Sequence, residues 1–103
     1  MDMKKYILFG AGKMAEHVIN IIGKENIKYI VDNNNQKHGI KLNGISVYLF
    51  IKKIEECKLS PIVISVSSQY QQEIKNQLEL KGITNYITWN ELQTRIIKQK
   101  LEN

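Results

Sequence analysis

Residues 5–32, KYILFGAGKMAEHVINIIGKENIKYIVD, hold a strand pattern, a glycine-rich turn, a helix pattern and a second strand pattern in unbroken order. Lys5 to Phe9 is an apolar run of the buried-strand type that stops at Gly10. Ala15, Val18, Ile19 and Ile22 then recur at i, i+3, i+4 and i+7, which predicts a helix over Lys13 to Ile22. Ile27 to Val31 predicts the next strand, with Asp32 at its end. Between the first strand and the helix stand Gly10, Ala11, Gly12, Lys13, Met14 and Ala15. Gly10 permits a tight turn, Gly12 lets main chain approach a phosphate without a Cβ in the way, and Ala15 lets the helix lie close to a sheet. The free amides that open the helix favour an anion, with Lys13 beside them. Asp32 follows Gly12 by twenty residues, the spacing at which a carboxylate accepts hydrogen bonds from ribose hydroxyls and repels a 2′-phosphate. A plainer reading of the same residues is a tight strand-to-helix connection and an Asp that ends a strand.

Outward from this unit the alternation continues. Asp32 to Asn43 is polar and reads as loop; Ile45 to Tyr48 resumes strand character after Gly44. Phe50, Ile54 and Cys57 at i, i+4 and i+7 predict a short helix. Pro61 opens a central strand over Ile62 to Val66. Ser68 with Gln71 forms a capping-box pattern for a helix to Lys81 that would bury Tyr70, Ile74 and Leu78, with Gly82 as its stop. Asn85 to Thr88 predicts a last strand, and Asn90 a cap for a final helix carrying Leu92, Ile96 and Leu101. Strands alternating with helices in this way predict an α/β fold: a doubly wound, Rossmann-like, mainly parallel sheet of about five strands with helices on both faces. In such a sheet ligands bind outside the carboxyl ends of the strands, at the switch point. Ser65, Ser67, Ser68 and Gln69 end the central strand there, so Ser67 and Ser68 are candidate nucleotide contacts, or else ordinary helix-start residues.

Composition narrows the classes. The chain has 103 residues, 43% apolar and 24% charged, which predicts one globular domain over residues 1–103 rather than a disordered polymer. No apolar run approaches the ~20 residues of a membrane span, and the N-terminus lacks the pattern of a secretory signal, so a cytoplasmic protein is expected. Cys57 is the only cysteine, which excludes an internal disulfide and a thiolate metal cluster; on an apolar stripe it reads as a core residue. The net charge of +5 is spread: seven cations against four carboxylates in residues 1–50 and eight against six in residues 51–103 leave +3 and +2. Fourteen of the cations are Lys and only Arg95 is Arg, with no clustered basic face, which argues against nucleic acid as a partner. His17 and His38 lack metal-ligand spacing and read as surface residues, so no metal is expected. Trp89 follows the last strand and would cover the sheet or meet a partner.

The stretch Val31 to Val47, VDNNNQKHGIKLNGISV, together with the GAGKMA turn resembles the CoA-binding-type N-terminal nucleotide-binding domain of the sugar-nucleotide dehydratases and epimerases of bacterial capsule and O-antigen assembly. Similar domains precede some methyltransferases and sugar acyltransferases of glycan assembly. The residues that carry the resemblance are Gly10, Ala11, Gly12, Val31, Asp32, Asn33, Gly39, Gly44, Ile45 and Val47, and it extends over about residues 5 to 90. It implies a nucleotide-binding domain of surface-polysaccharide biosynthesis, with NAD or a UDP-sugar bound by Gly10, Ala11, Gly12, Lys13, Met14, Asp32, Asn33, Ser67 and Ser68. Where the acyltransferases have a His in the turn, this chain has Met14, so that catalytic role does not transfer. The dehydratases carry membrane helices before this domain and a catalytic domain after it, and these 103 residues are expected to hold neither. The expectation is a binding module, inactive alone, whose partner would be a catalytic domain or a second copy. The rival readings are a small NAD-dependent oxidoreductase or epimerase fragment, which has no Tyr-x-x-x-Lys pair here because Ile74 follows Tyr70 by four; a nucleotide-sensing regulatory domain like those of potassium transporters; and a fold kept only for assembly.

Overall fold

In a computed structural model, which describes residues 5–102, six strands form one sheet in the order β3-β4-β2-β1-β5-β6. The strands are β1 (Tyr6–Phe9), β2 (Ile27–Asp32), β3 (Lys41–Leu42), β4 (Ile45–Leu49), β5 (Ile62–Ile64) and β6 (Tyr86–Thr88); the helices are α1 (Lys13–Ile22), α2 (Ile54–Cys57), α3 (Ser68–Leu80) and α4 (Trp89–Glu102). All neighbours pair in parallel except β3, which runs antiparallel to β4. This is the α/β Rossmann-like arrangement, and its switch point lies between β1 and β5, where the chain has wound outward one way and then returns to wind the other.

Alternation along the central strands divides the core. Leu8, Ile30 and Val63 face α1 and α4 with Ala15, Val18, Ile19, Trp89 and Leu92, whereas Ile7, Phe9, Val31, Ile62 and Ile64 face α2 and α3 with Cys57, Ile74 and Leu78. Strands buried on both faces must be apolar at every position, which is why they read as continuous runs rather than as alternation with polar residues. Phe9 and Phe50 meet at 4.8 Å between ring centroids on the second face.

Several expectations need correction. The polar segment after Asp32 is not all loop: it contains a 3₁₀ turn at Asn35–Lys37 and the strand β3. Asn43 (φ 52°) and Gly44 (φ 83°) form the two-residue turn that returns β3 into β4, a pair suited to positive φ at both positions. The sheet therefore has six strands. The segment from Phe50 to Cys57 splits into a 3₁₀ turn, Phe50–Lys52, and the short α2. Ser68 and Gln71 form no capping box; Gln71 Nε2 donates to Val66 O (3.1 Å) and to Asn90 Oδ1 (2.8 Å). Asn90 thus ties α4 to α3, and the cap of α4 is Thr88. Glu91 Oε1 accepts from the Thr88 amide and hydroxyl while Thr88 Oγ1 accepts from the Glu91 amide, a reciprocal capping box that holds the Glu91 carboxyl below its ordinary range. Tyr70 and Leu101 are exposed, not core. Gly82 does close α3, with its amide on Glu79 O and the Ile83 amide on Leu78 O, the two bonds of a Schellman motif.

Cys57 is fully buried, and that burial, with Glu56 nearby, pushes its thiol up to about 11 from 9.0. Tyr29, whose buried hydroxyl has no hydrogen-bond partner among the described residues, is likewise raised by burial and then by Glu56. The unfolded chain releases these protons first. Stability is therefore intact below about pH 9 and drains as pH rises from 9 towards 11. The urea midpoint is expected to be lower at pH 10.5 than at pH 8, and a thiol reagent at pH 8 should modify Cys57 only in urea. Equal midpoints, or rapid labelling of the native chain, would contradict this.

Candidate functional site

At the carboxyl end of β1 the chain turns sharply. The Gly10 amide donates to Val31 O (2.8 Å), and Gly10 adopts φ 115°. A Cβ here would lie 2.5 Å from Val66 Cγ1 and 3.0 Å from Ser65 O, so the strand-to-helix corner closes only around glycine. Ser65, buried at the end of β5, places its hydroxyl 3.0 Å from both Phe9 O and Gly10 O, and its amide donates to Phe9 O (3.0 Å). The two strands flanking the switch point are locked together at their tips.

Gly12 is the N-cap of α1 and makes no side-chain cap. Glu16 is the first residue whose amide bonds back into the helix, to Gly12 O (3.2 Å), so the amides of Lys13, Met14 and Ala15 begin the helix without intrahelical partners. A Cβ on Gly12 would meet nothing within 4 Å. Gly12 also lines a cavity of about 390 Å³, together with the rest of the Gly10–Met14 turn, Asp32, Lys37, Ser65, Val66, Ser67 and Tyr70.

Asp32 sits where the turn meets the loop leaving β2. Its Oδ2 accepts from the Ala11 amide (2.8 Å) and its Oδ1 from the Asn34 amide (2.8 Å). Asn34 Oδ1 in turn accepts from the Gln36 amide (2.9 Å), which starts the 3₁₀ turn that delivers Lys37. Lys37 Nζ then reaches back 26 residues to donate to Ala11 O (3.1 Å).

Seven of the nine residues expected at the site thus line one cavity: Gly10, Ala11, Gly12, Lys13, Met14, Asp32 and Ser67. Asn33 and Ser68 do not. Asn33 makes a reciprocal amide pair with Gln77 of α3 (2.8 and 2.9 Å) and lines a neighbouring hollow with Leu49, Phe50 and Ile54. Ser68 is exposed at the start of α3. Lys37, Val66 and Tyr70 join the cavity without a local sequence signal. His17 lies edge-on to Trp89 (5.7 Å), while His38 accepts from the Leu49 amide (2.9 Å), so the two histidines have different surroundings. Among the described residues no group of three or more His, Cys, Asp or Glu side chains could hold a metal, and no helix is long and apolar enough to cross a membrane.

Residues 2–88 match the family described as C2185-like, N-terminal. The chain belongs to this family. A search of curated proteins finds no match. Among solved structures, UDP-D-quinovosamine 4-dehydrogenase from Vibrio fischeri is 20% identical with a TM-score of 0.65, the match covering 95% of this chain and 87% of that one. RSP, a Rex-family repressor, is 18% identical with a TM-score of 0.63, covering 97% of this chain and 62% of its own. The complex of RSP with β-NADH is 19% identical with a TM-score of 0.63, covering 84% and 45%. The chain therefore spans less than two thirds of RSP in both matches. At these identities the likeness is one of fold, and it places this C2185-like N-terminal domain among Rossmann-like structures.

Proposed function

We propose that the cavity at the β1–β5 switch point binds a nucleotide, namely the diphosphate of a nucleotide-sugar or of a dinucleotide such as NAD, and that the chain serves bacterial surface-polysaccharide assembly in the cytoplasm as a binding module. The observation that carries the reading is the open space at Gly12, bounded by the first amides of α1 and by Lys13 and Lys37. Helix amides and ammonium groups around one hollow suit a phosphate. The polysaccharide setting is supported by the resemblance in the GAGKMA and VDNNNQKHGIKLNGISV segments, and one structural neighbour is by name a dehydrogenase of a UDP-sugar.

Chemistry on a sugar needs a positioned acid or base. The ionisable groups lining this cavity are Lys13, Asp32, Lys37 and Tyr70, and Asp32, the one carboxylate, has both oxygens on main-chain amides. The module therefore binds without turning over. The test is thermal and chemical denaturation with UDP-N-acetylglucosamine, NAD, NADP, CoA and S-adenosylmethionine, where a ligand at a hundred times its Kd adds about 2.7 kcal/mol. Stabilisation by a diphosphate ligand, with no product by mass spectrometry, is expected. No stabilisation by any of them would remove the nucleotide reading, and conversion beyond stoichiometry would make the chain an enzyme.

A further inference from the structure

We infer that Lys37 is a ligand-binding residue of this cavity, recognising the second phosphate of a nucleoside diphosphate group, so that the site selects its ligand by phosphate charge; this rests on the nucleotide reading above. Asp32, the residue placed to select through ribose, has both carboxylate oxygens engaged by the Ala11 and Asn34 amides. Its clasp shapes the site and carries the loop on to Lys37 through the Asn34–Gln36 bond.

The ammonium delivered in this way is held but not satisfied. It has three donors and gives one of them, to Ala11 O. Among the described residues ion pairs join Lys53 to Glu56 and Lys58 to Glu55; Lys37 is in none. Its side chain is partly buried against the turn, and among the described residues no carboxylate lies within ion-pair distance of it. Lys13 lines the same cavity from the first residue of α1. Two ammonium groups and a helix start thus outnumber the one carboxylate, Asp32, around a cavity of about 390 Å³, and a single phosphate would leave one of the lysines unmet.

The loop is held firmly enough for Lys37 to act as a fixed reader. Lys37 and His38 donate their amides to Asn34 O and Asn35 O (3.0 and 3.3 Å), the Gly39 amide donates to Val47 O (2.8 Å), and His38 Nδ1 accepts from Leu49. Replacing the ammonium therefore removes charge without releasing the loop.

Calorimetry with UDP against UMP tests this, or ADP against AMP if NAD is the nucleotide that binds. Wild type should prefer the diphosphate, and Lys37→Met should lose on the order of 10- to 100-fold in diphosphate affinity with much less loss for the monophosphate. Lys37→Arg should restore the preference in part, Lys37→Gln should not, and Lys52→Met, an exposed lysine outside the cavity, should change nothing. If wild type binds no nucleotide, the reading of the site fails and this inference with it. If wild type binds but does not prefer the diphosphate, or if Lys37→Met retains the preference or loses both ligands equally, Lys37 only props the loop and the inference alone is overturned. The wild-type comparison decides even if a variant folds poorly.

Discussion

Gly12→Val is expected to abolish nucleotide binding while leaving the fold as stable as wild type to within about 1 kcal/mol, whereas Gly10→Ala, a smaller change two residues earlier, should destabilise the chain by about 2–5 kcal/mol. The difference follows from where each new Cβ would go. Gly12 has φ −115° and ψ −156°, a backbone any residue adopts, and its Cβ enters open space. On the nucleotide reading that space is the phosphate's path, so an isopropyl group there displaces the ligand without straining the protein. Gly10 has φ 115°, and its Cβ would press on Val66 and on the Ser65 carbonyl, the point where β1 and β5 are locked. Left-handed strain adds to overpacking, against a total stability of ~5–15 kcal/mol for a domain of this kind. Urea denaturation with far-UV circular dichroism measures one side and titration with a bound nucleotide the other. A Gly12→Val chain that binds as wild type does would show that the ligand passes elsewhere.

What could be read from the amino acids alone was set by how local the deciding interaction is. The bounds of α1, Lys13 to Ile22, emerge from one apolar stripe and two flanking glycines, all within a dozen residues. β1, β2 and β5 announce themselves because both faces of the sheet are covered. The Asn43–Gly44 turn is a strong hairpin signal, yet β3 is only two residues long, Lys41 and Leu42, so it makes no pattern of its own. At Thr88 two roles coincide, since the last residue of β6 is also the cap of α4, whereas Asn90 two residues later carries the more familiar cap side chain. Tyr70 lies four residues before Ile74, on the stripe that buries Ile74 and Leu78, but it is exposed and lines the cavity instead. Asn33 and Lys37 are decided by partners 44 and 26 residues away, contacts that no spacing rule anticipates. The glycines and Asp32 stand out as candidates because a strand end, a turn and a helix start frame them within one short unit; Lys37 does not, because only the folded loop brings it to the cavity.

Asp32→Ala is expected to cost the ligand-free protein about 2–3 kcal/mol, because hydrogen bonds to a charged acceptor contribute roughly 1.5–3 kcal/mol and a buried amide left without a partner costs ~1–3 kcal/mol. The two amides will not suffer equally. The Asn34 amide is exposed and water can replace the carboxylate, but the Ala11 amide is partly buried beneath the turn and has no other acceptor among the described residues. Most of the loss should come from Ala11, and the Gly-rich turn should loosen with it. Asp32→Asn separates charge from shape: its amide oxygen serves one N–H, while its NH₂ faces the other donor, so it should recover only part of the loss. With a urea m-value of ~1–3 kcal/mol/M, the alanine variant's midpoint should fall by roughly 1–2 M without nucleotide present. Hydrogen exchange should reveal faster opening at Ala11 than in the core of β1. A carboxylate reserved for a ribose would behave differently, leaving the free protein as stable as before and lowering only the affinity. An unchanged midpoint would therefore assign Asp32 to the ligand alone and remove the clasp through which the loop carrying Lys37 is tied to the turn.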